Sequence, residues 1–383
     1  MGGRYVIEDF NLFGGLHCET SAVRKVYLYN GLDVSEEMLF GLAGGISFMY
    51  WFMKQMPFPM IGGRGGGRYF IENIAERTGA AVDQLRTGSS MRAHVRLVER
   101  LAAGQPTVIY CDMAYLPYMG IAEGAHFGQH VIVVCGIDED EDLVYISDRC
   151  RRGVTVTVAD LRKARGSKFP PFPAQNVLFD VRLPRRLEIT RKAVRQALQG
   201  CVDGLVNPPI SNFGLEGIQK WAKLILKWPE MFQGISLWGA LLNGFIFIET
   251  GGTGGGCFRP IFSRFLAEVE GMLNLPKLGS VMELYQESGR IWSEIAESML
   301  PDSYPALRRA REILWEKDRV FLAQEPDATE KLLELNHELD EMQDAILAEV
   351  GEAPEFLPAV QKQILRLYQV EKEAIQLLDS MVT

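Results

Sequence analysis

Cys18 stands in the stretch "FGGLHCETSAVRKVY", after a glycine pair and before the first amphipathic run of a 383-residue chain. A thiol there is either a small buried hydrophobe or a nucleophile. A nucleophile needs a base and an orienting polar group that lie elsewhere in sequence and meet it in the fold. The chain has five histidines. His94 and His337 fall in charged helical patterns and are expected at the surface, and His17 diverges from its neighbour Cys18 at a helix entrance. His130, in "GAHFGQHVIVVCGID", opens the strongest strand pattern, where the strand fixes the backbone and leaves the ring to face a cleft. The next strand pattern, "LVYIS", ends in Asp148. A hairpin through "DEDED" carries Asp148 toward His130, where a carboxylate fixes the imidazole tautomer. Cys18, His130 and Asp148 are therefore the candidate triad.

The chemistry follows from the residue types. A free thiol titrates near pH ~8.5, and a helix N-terminus with a neighbouring imidazolium brings it into the range where thiolate dominates at neutral pH. Glu19 opposes this slightly and favours the first helical turn through the dipole. Backbone N–H groups at the helix start can hold an oxyanion, with Asn11 as a candidate side-chain donor. On the residues alone, a core cysteine beside an unrelated strand-edge histidine stands equally open. A zinc set of Cys111, His126, His130 and Cys135 is weaker, because its histidine pair lies in loop-to-strand sequence and no paired CxxC accompanies it. "GGRGGGR" lacks the Lys-Ser/Thr of a phosphate loop, and "ETGGTGGGCFR" lacks G-x-G-x-x-G spacing. Both read as tight turns or close backbone approach, with a place beside the active site as the alternative. Cys257 reads as a buried structural thiol.

The elements that must position these residues change character along the chain. Helical patterns dominate from Cys18 to Leu101: one follows Cys18, one is announced by Asp33 and Glu36 as a capping box, and others run through Leu101 after "MIGGRGGGRYF", which is too glycine-rich for regular structure. The runs "TVIYC", "HVIVVCGID", "LVYIS", "VTVTV" and "NVLFDV" then read as strands. From about Leu187 onward the patterns are helical. The reading is an α+β domain over 1–186 and a helical domain over 187–383, joined at "VRLPRRLEIT".

Composition narrows the setting. Six cysteines lack a disulfide framework and no leader precedes them, which predicts a reducing cytoplasm. "ISLWGALLNGFIFIE" falls short of the ~20 residues that span a bilayer and reads as a buried helix. "MGGRYV" offers Gly2 but puts Val6 where N-myristoylation needs Ser or Thr, so no lipid anchor is expected. The net charge is -9, yet between Arg149 and Arg195 thirteen Lys and Arg face three Asp and Glu. This basic segment is either a solvated face or a dock for an acidic macromolecule or phosphate-bearing ligand. It lacks the aromatics of a nucleic-acid platform, so no nucleic acid is expected.

Several segments together resemble a known family. "GLHCETSAVRKVYLYNGLDVSEEMLFGLAGG", "VIYCDMAYLPY", "HFGQHVIVVCGID" and "VYISDR" resemble the N-terminal domain of butirosin biosynthesis protein H and its relatives. "IETGGTGGGCFRPIFSRFL" resembles the helical domain of unknown function that follows it. The resemblance implies a papain-like or C39-like fold with a cysteine-bearing helix on an antiparallel sheet. It also implies acyl transfer from a carrier-protein thioester to an amine, with Cys18 as nucleophile, His130 as base and Asp148 as its orienter. Asp112, Tyr115, Tyr118 and His126 lie in matching segments and are expected to line the cleft. Where the C39-like pattern places a glutamine before the cysteine, this chain has Asn11.

The expected activity is that of a cysteine-dependent amide-forming acyltransferase of specialised metabolism with no permanently bound cofactor. Its donor is an acidic acyl carrier protein bearing phosphopantetheine, or another acyl thioester, and its acceptor a small-molecule or polyamine-like amine. The alternatives are a peptidase or amidase with the same triad and a silent scaffold protein. A homo-oligomer is compatible with all of these.

Overall fold

A computed structural model describes residues 3–53, 56–121 and 124–382. Met1 and Gly2, on which the myristoylation reading rests, lie outside the described residues. The strands are β1 (Arg4–Val6), β2 (Ile46–Trp51), β3 (Met60–Arg64), β4 (Ala81–Leu85), β5 (Thr107–Cys111), β6 (His130–Asp138), β7 (Leu143–Ser147), β8 (Val154–Val156) and β9 (Leu178–Arg182). The helices up to the last strand are α1 (Cys18–Tyr29), α2 (Glu36–Ala43), α3 (Phe70–Thr78), α4 (Ser90–Ala102) and α5 (Val158–Gly166). Then follow α6 (Arg191–Val206), α7 (Gly214–Leu224), α8 (Trp228–Met231), α9 (Ile235–Ile248), α10 (Arg259–Leu273), α11 (Leu278–Met299), α12 (Pro305–Ala323), α13 (Ala328–Glu341), α14 (Gln343–Val350) and α15 (Ala353–Val382). The class is α+β with a helical C-terminal region, and among the described residues no helix is long and apolar enough to cross a membrane.

Two compact units divide the chain: residues 1–36, 78–188 and 317–337, and residues 37–77, 189–316 and 338–383. The cut expected at 186/187 falls close to the break at 188/189. Two segments nevertheless change sides. Residues 37–77 join the helical unit and 317–337 join the sheet unit, because packing of distant segments, unlike a linker, leaves no local mark in composition.

The first unit holds an antiparallel sheet of order β4-β9-β5-β6-β7-β8, with β1 paired to β6. β6 is buried at every residue, as its uninterrupted apolar run requires. Ile109, Cys111, Ile132 and Val134 share one core with Leu97 of α4 and Leu161 of α5. β1 lies where the sequence announces no element, and β4 interrupts a stretch with helical patterns; "AVDQL" has a buried-to-exposed pattern too weak to announce a strand, and pairing with β9 alone makes it one.

The segment 317–337 completes this core. Phe321 and Leu332 belong to it. Gln324 Nε2 donates to the Tyr118 carbonyl at 3.1 Å and Asn336 Nδ2 to the Gly120 carbonyl at 2.8 Å. Gly120 sits at φ 54, and a Cβ there would lie 2.4 Å from that of Leu332. Truncating buried Phe321 to alanine is expected to cost about 3–5 kcal/mol. Faster hydrogen exchange in β6 of the variant would report it, and unchanged exchange would show that the segment is dispensable to the unit.

In the second unit β2 pairs with β3, where "MIGGR" was read as too glycine-rich for regular structure. The glycines serve close approach instead: a Cβ on Gly63 would lie 2.3 Å from Cys257 Sγ and 2.5 Å from Arg259 NH1. Arg259 is fully buried and pairs with Glu371 (Nε to Oε1, 2.7 Å), while its NH1 and NH2 donate to the Gly63, Cys257 and Ser47 carbonyls. Ser288 and Trp292 also donate to Glu371, at 2.5 and 3.3 Å. The carboxylate thus ties α10, α11 and α15 to the hairpin. "ISLWGALLNGFIFI" forms the largely buried α9, and Cys257 is a buried thiol pushed up to about 12 by burial.

Candidate active site

α1 begins at Cys18 itself. The glycine pair before it has a steric reason. Gly15 N–H donates to the Arg149 carbonyl at 2.8 Å, and a Cβ on Gly15 would meet Ser21 Oγ at 2.2 Å. The loop can therefore lie flat between α1 and the segment after β7. Glu36 then fixes it: its carboxylate accepts from the backbone N–H of Leu16 at 3.0 Å, of His17 at 2.8 Å, and from Thr20 Oγ1 at 2.8 Å. Glu36 was expected to cap its own helix, α2. Buried at the entrance to α1, it does more there by satisfying N–H groups that a helix start leaves without partners.

β6 delivers His130 and the end of β7 delivers Asp148. Their antiparallel pairing sets Val133 opposite Ser147, so Asp148 continues alongside β6 toward its first residue. His130 Nε2 lies 2.7 Å from Asp148 Oδ2. The carboxylate is an acceptor, so Nε2 carries a proton, and Nδ1 is the nitrogen left to face the Cys18 thiol, with which His130 hydrogen-bonds. Asp148 also accepts from Tyr118 Oη at 2.8 Å and from the Arg149 N–H at 2.6 Å.

Electrostatics separate Cys18 from every other cysteine. The other five are buried, and burial raises their thiols. Cys18 is half-buried. Its own desolvation also pushes upward, but the hydrogen bond and charge of His130, the Val131 N–H and Arg149 together bring it below its ordinary value. For His130, burial is overcome by the charge and hydrogen bond of Asp148 and by Cys18, lifting it from 6.5 to about 10. Against its own burial, Asp148 is held down at about 2, mainly by His130 and then Arg149. At neutral pH the site thus holds an imidazolium and a carboxylate beside a thiol that ionises more readily than an ordinary one.

Two further cations balance it. Lys25, two turns after Cys18 on α1, is fully buried, and its Nζ donates to the Asp148 carbonyl. Desolvation brings it down to about 8 against the charges of Asp148, Cys150 and Glu36. Arg149 NH1 donates to the Leu16 carbonyl at 3.3 Å, and its guanidinium lies 5.1 Å over Phe321. Three acids, Cys18, Asp148 and Glu36, face three bases.

The pair sets a pH window for stability. Asp148, depressed from 3.8 to about 2, contributes stability above pH 3.8 that is lost as pH falls toward 2. His130, raised from 6.5 to about 10, contributes below pH 6.5 and loses it as pH rises toward 10. The difference in urea midpoint between wild type and Asp148→Asn is expected to be largest between pH 3.8 and 6.5. A flat difference would contradict the pairing.

Residues 17–149 match the family described as Butirosin biosynthesis protein H, N-terminal, and residues 159–316 match Domain of unknown function (DUF4872). The chain carries the N-terminal domain of the butirosin biosynthesis protein H family, followed by that second domain. The butirosin biosynthesis protein H match opens one residue before Cys18 and closes one after Asp148, so it brackets all three residues. Residues 317–337 begin where the second match ends. No curated protein matches the chain.

The remaining expected site residues divide. Asp112 and His126 are bonded to each other, Nδ1 to Oδ2 at 2.9 Å, with Tyr115 tilted against His126 at 5.6 Å between ring centroids. Tyr118, expected to face the cleft, is instead buried behind Asp148, because its hydroxyl is the partner the second carboxylate lone pair requires. Asn11 is exposed in the loop before α1, with no hydrogen bond to Cys18, His130 or Asp148. The zinc set does not converge: His126 is taken by Asp112, His130 by Asp148, and Cys135 Sγ by the Tyr145 carbonyl. His94 is buried rather than exposed, since its Nε2 meets Glu139 at 2.7 Å, while His337 is exposed. Both glycine clusters belong to the second unit and all three candidate residues to the first. Glu36, Lys25 and Arg149 were missed as site residues; a Lys placed seven residues after Cys18, on the same helical face, was the available signal for Lys25.

Proposed function

We propose that the chain is a cysteine-dependent acyltransferase that moves an acyl group from a thioester to an amine. One observation carries this reading: of six cysteines, Cys18 is the one not fully buried and the one whose thiol is held below its ordinary value, beside an imidazole anchored on a carboxylate. The family's link to butirosin biosynthesis supports a biosynthetic enzyme of specialised metabolism.

The Cys18 thiolate attacks the thioester carbonyl, and N–H groups at the start of α1 receive the oxyanion. As the tetrahedral adduct collapses, His130 gives its proton to the departing thiol. Thioester exchange leaves the acyl group on Cys18 with little change in free energy, because one thioester replaces another. Neutral His130 then takes a proton from the attacking amine as the Cys18 thiolate leaves, which restores the resting ion pair. Phosphopantetheine enters as part of the donor, and the protein keeps no cofactor of its own in this cycle.

The donor is an acyl carrier protein. Arg162, Lys163 and Lys168 are exposed on α5 and just beyond it, within a basic segment that an acidic carrier complements. Reversing all three to glutamate is expected to raise KM for a carrier-bound donor about tenfold or more in low salt, while a small N-acetylcysteamine thioester reacts unchanged. Equal kinetics with both donors would remove the carrier from the account.

Transfer is tested by product analysis. Wild type supplied with thioester and amine yields amide that Cys18→Ser does not; free acid as the sole product would make the chain a hydrolase.

A further inference from the structure

The triad leaves one proton of the acceptor without a destination. An alkylamine is an ammonium ion at neutral pH, and two protons leave its nitrogen before it becomes an amide nitrogen. His130 is an imidazolium in the resting site, becomes a base only after protonating the departing thiol, and then accepts one proton. The other must go elsewhere before the amine has a lone pair with which to attack.

We propose that His126, held by Asp112, is a second base that deprotonates the acceptor ammonium; this rests on the acyltransferase reading above. Asp112 is fully buried and accepts four hydrogen bonds: from the N–H groups of Ala114 (3.2 Å) and Phe127 (3.1 Å), from His126 Nδ1 (2.9 Å) and from Ser167 Oγ (2.5 Å). In the neutral ring with Nδ1 donating to the carboxylate, the lone pair is on Nε2, which has no hydrogen-bond partner among the described residues. The ring cannot turn it away, because it stacks on Phe169 at 3.5 Å and 5° and leans on Tyr115.

Position joins this dyad to the triad. Asp112 directly follows Cys111, whose partner across the β5–β6 ladder is His130, and His126 lies four residues before His130 on the segment entering β6. Both dyads therefore stand at one end of one strand pair. They differ in exposure: the His130 side chain is 5% accessible and that of His126 18%. The buried ring serves chemistry at the acyl carbon, and the exposed one can take a proton from an arriving ammonium and release it to solvent. The balance then closes. The ammonium gives one proton to His126 Nε2, the neutral amine attacks the Cys18 thioester, the C–S bond breaks, and the second proton passes to His130.

The test separates the half-reactions. A small N-acetylcysteamine thioester that labels Cys18 is given to wild type and His126→Gln, and the acyl enzyme is then chased with 1,3-diaminopropane or with hydroxylamine, which is uncharged at neutral pH. The variant is expected to acylate at the wild-type rate, to lose about 100-fold in reaction with the diamine, and to react normally with hydroxylamine. Equal losses with both amines, or none with either, would overturn the role of His126. If His126→Gln fails to acylate, His126→Phe, which keeps the stacked ring, replaces it; failure of both assigns His126 to holding the acylation site and overturns the proposal. A wild type that forms no acyl enzyme overturns the underlying reading instead.

Discussion

His130→Ala is expected to slow alkylation of Cys18 by iodoacetamide at pH 7 to the rate of an ordinary buried thiol, and to lower acyl transfer by roughly 10³ to 10⁴-fold. Burial alone pushes the Cys18 thiol up, and the first influence that reverses it is the hydrogen bond and charge of His130. Without the imidazole, desolvation prevails and thiolate forms only at alkaline pH. The wild-type alkylation rate should therefore already be high at neutral pH, whereas the variant's should climb through the alkaline range. The other five cysteines are buried, so labelling reports one site. An unchanged rate in His130→Ala would mean that the helix start and Arg149 suffice and that His130 is not the partner of Cys18.

The largest expected effect on stability is in the second unit. Glu371→Ala leaves the guanidinium of Arg259 fully buried without a counter-charge and strips a partner from Ser288 and Trp292. Breaking such a pair from one side costs about 3–5 kcal/mol, since the surviving charge stays desolvated. All six tryptophans lie in this unit, so the urea midpoint read by tryptophan fluorescence reports it without a signal from the sheet unit. It should fall sharply in Glu371→Ala and less in Glu371→Gln, whose amide oxygen can still accept. An equal midpoint in both variants and wild type would show that Arg259 is held by the three carbonyls alone.

The parts of the fold visible in sequence are those whose signal is local. "TVIYC", "HVIVVCGID" and "LVYIS" became β5, β6 and β7 because β-branched runs between turns have few other ways to bury themselves. Cys18 at a helix start, His130 opening a strand and Asp148 closing the next one could be ordered for the same reason. What escaped depends on contacts between distant segments. β3 needs Gly62 and Gly63 so that Cys257 and Arg259 can approach, and glycine-rich sequence looks like loop until its neighbour is known. Glu36 satisfies the capping pattern of α2 equally well on paper; its service to Leu16 and His17 appears only once the chain has folded back to bring Glu36 to the start of α1. Tyr118 and Phe321 have ordinary helical or aromatic surroundings in sequence, and the chain separation between them hides that both support Asp148 and Arg149 from behind.

The central claim is that Cys18 carries the acyl group, and intact-protein mass spectrometry tests it without knowledge of the acceptor. Wild type and Cys18→Ala are incubated with a panel of acyl-N-acetylcysteamine thioesters in the absence of any amine. A mass increase of one acyl group is expected in wild type and none in Cys18→Ala. Equal labelling of both proteins, or no labelling of wild type by any donor while iodoacetamide labels Cys18 slowly, would contradict it.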